Sequence, residues 1–132
     1  MDLQSIEQSL PNGFHDACLT GLALSFPRRD VELLFDALMA NDDVPAAERY
    51  RRCRLVLRDC AVVILEPAVA YREIRPSEGL QIDQTQLKEK DYQAFKDAGY
   101  TVPPANFWLA LFVYDWNSRI VVNARDAILE FL

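Results

Sequence analysis

Two neighbouring stretches of the chain have a period of two, and this period constrains the fold more than any other feature. ACLTGLALSF at residues 17–26 and VELLFDALMA at residues 31–40 alternate on either side of the polar turn PRRD. Successive side chains of a strand point to opposite faces of a sheet, so the two stretches predict an antiparallel hairpin. A helix is the alternative for residues 31–40, because that stretch has few β-branched residues.

Further strands are expected later in the chain. Residues 51–58 alternate arginines with apolar residues, and CAVVIL at residues 60–65 is apolar on both faces, which predicts a central strand. Residues 106–114 and 119–124 predict a second hairpin across the turn DWNS. For residues 125–132 a strand is favoured over a short helix, because no capping glycine separates them from the preceding strand.

Two helices are predicted as well. Residues 2–10 carry one apolar stripe and end before Pro11, whereas the longer helix of residues 84–98 has Asp83 as its N-cap. The chain is therefore assigned to the α+β class, with a mainly antiparallel sheet of about six strands and one long and one short helix. Its length predicts a single domain, residues 1–132.

The charge composition limits the class of partner. The chain has 14 basic and 20 acidic residues and a formal net charge of −6. Binding to nucleic acid needs basic surface, so no nucleic-acid partner is expected. Nine of the acids lie in residues 1–48, and an acidic surface of this kind steers a basic protein partner. No stretch approaches the ~20 apolar residues of a membrane span, and the opening MDLQSIEQSL lacks the basic start of a signal peptide. We therefore expect a cytoplasmic protein without a membrane partner.

His15 is the only histidine of the chain, and it stands beside Asp16 just after the turn residues Asn12-Gly13. Neighbouring residues of a strand point to opposite faces, so both side chains reach one site only in an irregular turn. We predict a strand entry in which His15 or Asp16 bonds the main chain of the turn. The alternative is a small-molecule-binding domain or hydrolase with a site at His15, Asp16 and Glu66.

The sequence shows no motif for a metal or cofactor. It has no glycine-rich phosphate loop, no HExxH, no CxxC and no GxSxG. A zinc site needs three or four ligands, which one histidine with scattered thiols and carboxylates does not supply. Cys18, Cys53 and Cys60 are expected to be reduced, and Cys53 and Cys60 to be buried. We therefore predict no metal, no cofactor and no catalytic residues.

Arg52, Arg54 and Arg58 stand at even-numbered positions of one predicted strand and so share a face. One interpretation pairs them across strands with Glu32 or Asp36, which also share a face. The other is a site for an anion or a partner, because an arginine fork suits carboxylates. Both interpretations remain open at this point.

Two segments of the sequence resemble a group of small, uncharacterised bacterial proteins. These are LPNGFHDA at residues 10–17 and ERYRRCRLVLRDCAVVILEPA at residues 48–68. Those proteins have a similar opening and a later tyrosine–strand–EPP segment, in which Ala68 replaces the second proline here. The two segments span 29 of the 132 residues, and the resemblance implies a bacterial, cytoplasmic protein without an assigned activity. The layout is also similar, by analogy, to acidic immunity proteins of bacterial toxin systems.

These observations predict a non-enzymatic protein-interaction domain, immunity-protein-like in its acidity, with a basic protein as its partner. A homodimer is also expected. The hairpin of residues 106–124 is apolar on both faces, and only one face can cover the helix of residues 84–98. The other face, with Trp108, Phe112 and Tyr114, needs cover from the N-terminal helix or from a second chain, because burying an aromatic contributes roughly 2–3 kcal/mol.

Overall fold

The computed structural model describes residues 1–40, 43–45, 48–67 and 79–132. In chain order the elements are α1 (Leu3–Ser9), β1 (Ala17–Ser25), β2 (Asp30–Leu38), β3 (Tyr50–Arg58), β4 (Val62–Leu65), β5 (Leu80–Thr85), α2 (Glu89–Asp97), β6 (Phe107–Val113), β7 (Ser118–Ala124) and β8 (Asp126–Phe131). A 3₁₀ helix, Tyr114–Trp116, joins β6 to β7. The α+β class with a mainly antiparallel sheet is confirmed, but the described residues form eight strands rather than about six.

The strands form one sheet in the order β4-β7-β6-β5-β1-β2-β3-β8, and every neighbouring pair is antiparallel. The sheet closes on itself because β3 leads directly into β4 and β7 into β8. The Ala61 amide donates to the Asn123 carbonyl at 2.9 Å, and the Arg125 amide donates to the Arg58 carbonyl at 3.0 Å. The β3–β8 and β4–β7 ladders therefore form one bent ribbon, which joins the two ends of the sheet into a barrel.

The interior of the barrel is filled by alternate residues of the strands. In β2, Val31, Leu33, Phe35 and Ala37 are at most 1 % exposed, as the alternation predicts. The same core takes in alternate residues of β3 and the buried Ile6 of α1. The helix α1 begins after Asp2, whose carboxylate accepts the Ser5 amide as an N-cap. The N-terminal helix and the first hairpin thus follow the predicted pattern.

The predicted helix of residues 84–98 is wrong in its first part. Residues Leu80–Thr85 form β5, with Ile82 fully buried in the core, and the helix spans only Glu89–Asp97. β5 fills the gap between β1 and β6, whose main-chain groups both need a partner. Gly79 permits this approach, because its φ is +70° and a Cβ there would lie 2.6 Å from the Leu19 oxygen.

The central position predicted for residues 60–65 is also wrong. β4 stands at one end of the strand order and pairs with β7 alone among the described residues. Val63 is 38 % and Leu65 45 % exposed. Apolar residues on both faces of a segment are typical of a central strand, but here the bend after β3 carries the segment away from β2 and leaves it at an edge.

One aromatic of the predicted hairpin, Trp108, is covered by α2. The Trp108 ring stacks on Phe95 of α2 at 4.9 Å between centroids and meets Tyr92 edge-on at 6.2 Å. The opposite face of β6, with Leu109 and Leu111, lies in the barrel interior. The helix α2 thus covers Trp108, whereas Tyr114 on the same face is 42 % exposed. A homodimer stays a prediction.

Cys53 and Cys60 are buried, as predicted, with exposures of 0 % and 5 %. Burial raises the pKa of Cys53 and raises the pKa of Cys60 to about 11. Because the thiolate is the reactive form, we expect both to react slowly with iodoacetamide in the folded protein and rapidly once the chain is unfolded. Mass spectrometry resolves each site, with the partly exposed Cys18 as an internal reference. Rapid labelling of Cys53 and Cys60 in the folded chain would contradict the arrangement of β3 and β4.

Candidate functional site: an acidic cluster around His15

His15 and Asp16 lie in an irregular turn just before β1. Gly13 and Asp16 both have positive φ, +55° and +54°, so the chain is not yet extended at these residues. The two side chains therefore reach the same side of the molecule, the condition under which they were expected to meet. The His15 Nε2 atom lies 3.4 Å from a carboxylate oxygen of Asp16.

The main partners of this pair come from β5. The His15 Nδ1 atom lies 3.0 Å from a carboxylate oxygen of Asp83, and the Gln81 amide donates to Asp16 at 2.9 Å. The prediction that His15 or Asp16 would bond the main chain of the turn is therefore wrong. Gln81 and Asp83 flank the buried Ile82, so alternation places both on the outer face of the barrel beside the turn.

A tyrosine completes the group. The Tyr114 hydroxyl donates to the Asp83 carboxylate at 3.4 Å. We call His15, Asp16, Asp83 and Tyr114 the acidic cluster. Tyr50 at the start of β3 is not part of the cluster, because β2 lies between β1 and β3. Both tyrosines keep a large exposed area, 42 % at Tyr114 and 43 % at Tyr50.

The electrostatics of the cluster follow from these contacts. The hydrogen bond to Asp83 and the charges of Asp16 and Asp83 raise the pKa of His15. Partial desolvation and the charge of Asp83 raise the pKa of Tyr114. In the part of the chain that the structure describes, His15 is the only cationic group within ion-pair distance of Asp16 or Asp83. The cluster is therefore deficient in positive charge whenever His15 is neutral.

The cluster is open to solvent. The side chains of His15, Asp16 and Asp83 are 63 %, 44 % and 27 % exposed. Over residues 1–40, 43–45, 48–67 and 79–132, no group of three histidine, cysteine or acidic side chains is placed to hold a metal ion. Carboxylates and tyrosine rings on an open surface can bind a guanidinium or ammonium group from outside. This site does not exclude water as an enclosed active site does.

Glu66 lies apart from the cluster. Its carboxylate accepts hydrogen bonds from the Arg119 guanidinium at 2.8 and 3.0 Å. Asp83 of β5 pairs with Phe112 of β6, and Phe112 pairs with Arg119 of β7. The Glu66 amide, just after β4, donates to the Arg119 carbonyl. Three strand spacings separate Glu66 from Asp83, about 14 Å. The structure brings His15 and Asp16 together and does not bring Glu66 to them.

Two arginines of β3, Arg52 and Arg54, are paired across strands. The Arg52 guanidinium donates to Asp36 at 2.6 Å, and Arg54 donates to both oxygens of Glu32 at 2.8 and 3.1 Å. Glu130 of β8 lies 3.4 Å from Arg54 on its other side. Arg58 has no ion pair among the described residues, although its register partner is Asp126. The charges of Arg52 and Arg54 are therefore neutralised by carboxylates of neighbouring strands. Of the three arginines on this face, Arg58 is the one open to an external anion.

Sequence reasoning missed three residues of this surface, Gln81, Asp83 and Tyr114. Asp83 was expected to cap a helix, and Tyr114 was expected to end a strand. Neither helix that the structure describes combines the length and apolar composition needed to cross a bilayer. No protein-family model, curated protein or solved structure matches the chain.

Proposed function

We propose that this chain is a protein-interaction domain without enzymatic activity, and that its acidic cluster binds an arginine or lysine of a basic protein partner. The observation that carries the proposal is the pair of carboxylates, Asp16 and Asp83, on either side of the His15 ring at 3.4 and 3.0 Å. No arginine or lysine of the described chain lies within ion-pair distance of these two carboxylates.

Three other acids of the surface are already engaged. Asp36 and Glu32 each bond an arginine of β3, and Glu66 bonds Arg119. A partner would have to break those pairs in order to use them. The acidic cluster has only an imidazole, which is uncharged at alkaline pH, so an incoming cation meets less competition there.

The surroundings of the carboxylates suit a planar cation. A guanidinium can donate two parallel hydrogen bonds to a carboxylate, and aromatic faces attract it through their π electrons. Tyr114 is exposed beside the Asp83 carboxylate. The net charge of −6 adds a long-range attraction for a basic protein, which raises the rate of encounter.

Replacing Asp83 with asparagine is expected to weaken binding of an oligoarginine peptide about tenfold, because one charged hydrogen-bond acceptor is lost. The matched control is Asp97→Asn on the exposed end of α2, which changes the net charge equally and should alter the affinity less than about twofold. Calorimetry at low salt measures both affinities. Binding should also weaken as the pH falls through the raised pKa of His15, because the imidazolium then competes for Asp83.

Two results would contradict this proposal. An equal loss of affinity in Asp83→Asn and Asp97→Asn would show that net charge alone attracts the peptide. Amide shifts of the ¹⁵N-labelled chain that leave His15, Asp16 and Tyr114 unchanged on titration would place the binding elsewhere.

A further inference from the structure

The turn Asn12-Gly13, between α1 and β1, carries a reactive pair of residues. An asparagine followed by glycine is the sequence at which a carboxamide is attacked most readily by its own main chain, because glycine has no side chain to hinder the approach. Asparagine is for this reason a thermolabile residue. No other asparagine of the sequence precedes a glycine. The structure shows what the fold does to the two reacting groups.

Both reacting groups are held by hydrogen bonds in the folded turn. The Asn12 Nδ2 atom donates to the Leu38 carbonyl at 2.8 Å, and the Gly13 amide donates to the Leu10 carbonyl at 3.0 Å. The turn is anchored on either side by Leu10 and Phe14, which are buried in the core. Attack of the Gly13 nitrogen on the Asn12 carboxamide therefore requires these two bonds to break.

The Leu38 carbonyl depends on Asn12 because β1 does not reach it. The Met39 amide donates to the Arg49 carbonyl, and antiparallel ladders bond alternate residues, so the Leu38 carbonyl points away from β3. On the other side of β2, the last residue that pairs with β1 is Asp36. Within the described part of the chain, the Asn12 carboxamide is the donor that satisfies this carbonyl and ties the turn to the end of β2.

We propose that Asn12 is a site of spontaneous deamidation, that the hydrogen bonds of the folded turn control its rate, and that the product loosens the turn from β2. The Gly13 nitrogen loses its proton and bonds the Asn12 Cγ atom, while the Cγ–Nδ2 bond breaks and ammonia leaves. Water then opens the resulting succinimide at either carbonyl, which gives aspartate or isoaspartate. A carboxylate only accepts hydrogen bonds, so neither product can donate to Leu38.

The modification is irreversible without repair, and it lies in the turn that carries His15 and Asp16. The His15 amide donates to the Asn12 carbonyl at 3.0 Å, so Asn12 closes this turn with its main chain as well as with its side chain. Isoaspartate adds one carbon to the main chain at this point, and both products add a negative charge. The inference does not rest on the proposed function, because the reaction and its effect are measured in the chain alone.

The rate is tested by incubating the native chain, folded in buffer or unfolded in guanidinium chloride, at the same mildly alkaline pH. Peptide mapping by mass spectrometry separates asparagine, aspartate and isoaspartate at residue 12. We expect deamidation of the folded chain to be slower by about tenfold or more, because the reaction proceeds only from the opened turn. Equal rates would show that the fold does not control the reaction, and an unreactive Asn12 in the unfolded chain would exclude the site.

The loosening is tested with Asn12→Asp, which reproduces the aspartate product. It is expected to lower the Tm by about 4 °C and to speed hydrogen exchange at the His15 amide about tenfold, because the Leu38 carbonyl then faces a second acceptor. Asn117→Asp, the control, makes the same change at an exposed residue with φ +49°, a conformation that aspartate accepts, and should alter neither quantity. Equal effects in the two variants, or unchanged exchange at His15 in Asn12→Asp, would overturn the proposed loosening. The rate comparison uses the native sequence and is independent of how either variant folds.

Discussion

Replacing Arg119 with methionine is expected to lower the free energy of unfolding by about 3 kcal/mol at neutral pH, because two partly buried carboxylates lose their shared cation. The Arg119 guanidinium lies 2.8 Å from Glu66 and 3.0 Å from Asp91, and thereby ties α2 to the start of β7. The Asp91 side chain is only 11 % exposed. Urea unfolding followed by circular dichroism measures the loss.

The pH dependence of this loss has a defined sign. Arg119 holds the pKa of Glu66 and of Asp91 below their ordinary values of 4.5 and 3.8. The stabilisation is therefore present above those values and is lost as the pH falls through the lowered pKa values. The difference in free energy of unfolding between the native chain and Arg119→Met should therefore be smaller at acid pH than at neutral pH. An equal difference at both pH values would contradict this account.

The control for Arg119 is the exposed arginine Arg54. Its side chain is 38 % exposed and bonds Glu32, whose side chain is 32 % exposed. Exposed pairs contribute about 0–1 kcal/mol, so Arg54→Met should change the stability little. A comparable loss of stability in Arg119→Met and Arg54→Met would show that the burial of the ion pair does not determine its contribution.

Replacing Phe35 with alanine is expected to cost about 4 kcal/mol of stability through lost burial and the cavity left behind. Phe35 is fully buried at the centre of β2, and its ring contacts Phe14 with centroids 5.3 Å apart. Phe26→Ala makes the same chemical change at a residue that is 81 % exposed, and it should leave the midpoint of urea unfolding almost unchanged. Similar losses in the two variants would contradict the assignment of Phe35 to the core.

Much of the barrel could be predicted from local patterns. In β2 the alternation of Val31, Leu33 and Phe35 with Glu32, Leu34 and Asp36 indicates the buried face, and the structure buries the first three residues. The favoured strand at residues 125–132 is confirmed by β8, Asp126–Phe131. The β2 segment is long enough for its period of two to distinguish it from a helix, and the β8 segment directly follows another predicted strand.

β5 could not be predicted in the same way. The segment LQIDQT has only two apolar positions, Leu80 and Ile82, and its Asp83 precedes a helical pattern as a good N-cap does. Its place in the sheet depends on its pairing with β1, where Ala17 faces Ile82 across a long stretch of sequence. No local pattern encodes a register of this kind.

The candidate site depended on the same missing strand. From the sequence, His15 and Asp16 could share a site only in an irregular turn. The positive φ of Asp16 shows that the turn is irregular. It does not indicate Asp83 as their partner, because that contact requires β5 to lie beside β1. In contrast, Asp36 was a candidate partner of Arg52 from the outset, since β2 and β3 are long strands whose faces are clear from their alternation.

The closure of the barrel has a consequence for how quickly the chain folds. The ladders that close it join residues distant in sequence, such as Cys53 with Phe131 and Ala17 with Ile82. Loop entropy is lost before such pairs form, so folding is expected to take milliseconds to seconds rather than microseconds. Until β8 docks, the outer edge of β3 is unpaired and open to pairing with other unfolded chains. Docking of β8 therefore sets the period during which the nascent protein is most prone to aggregate.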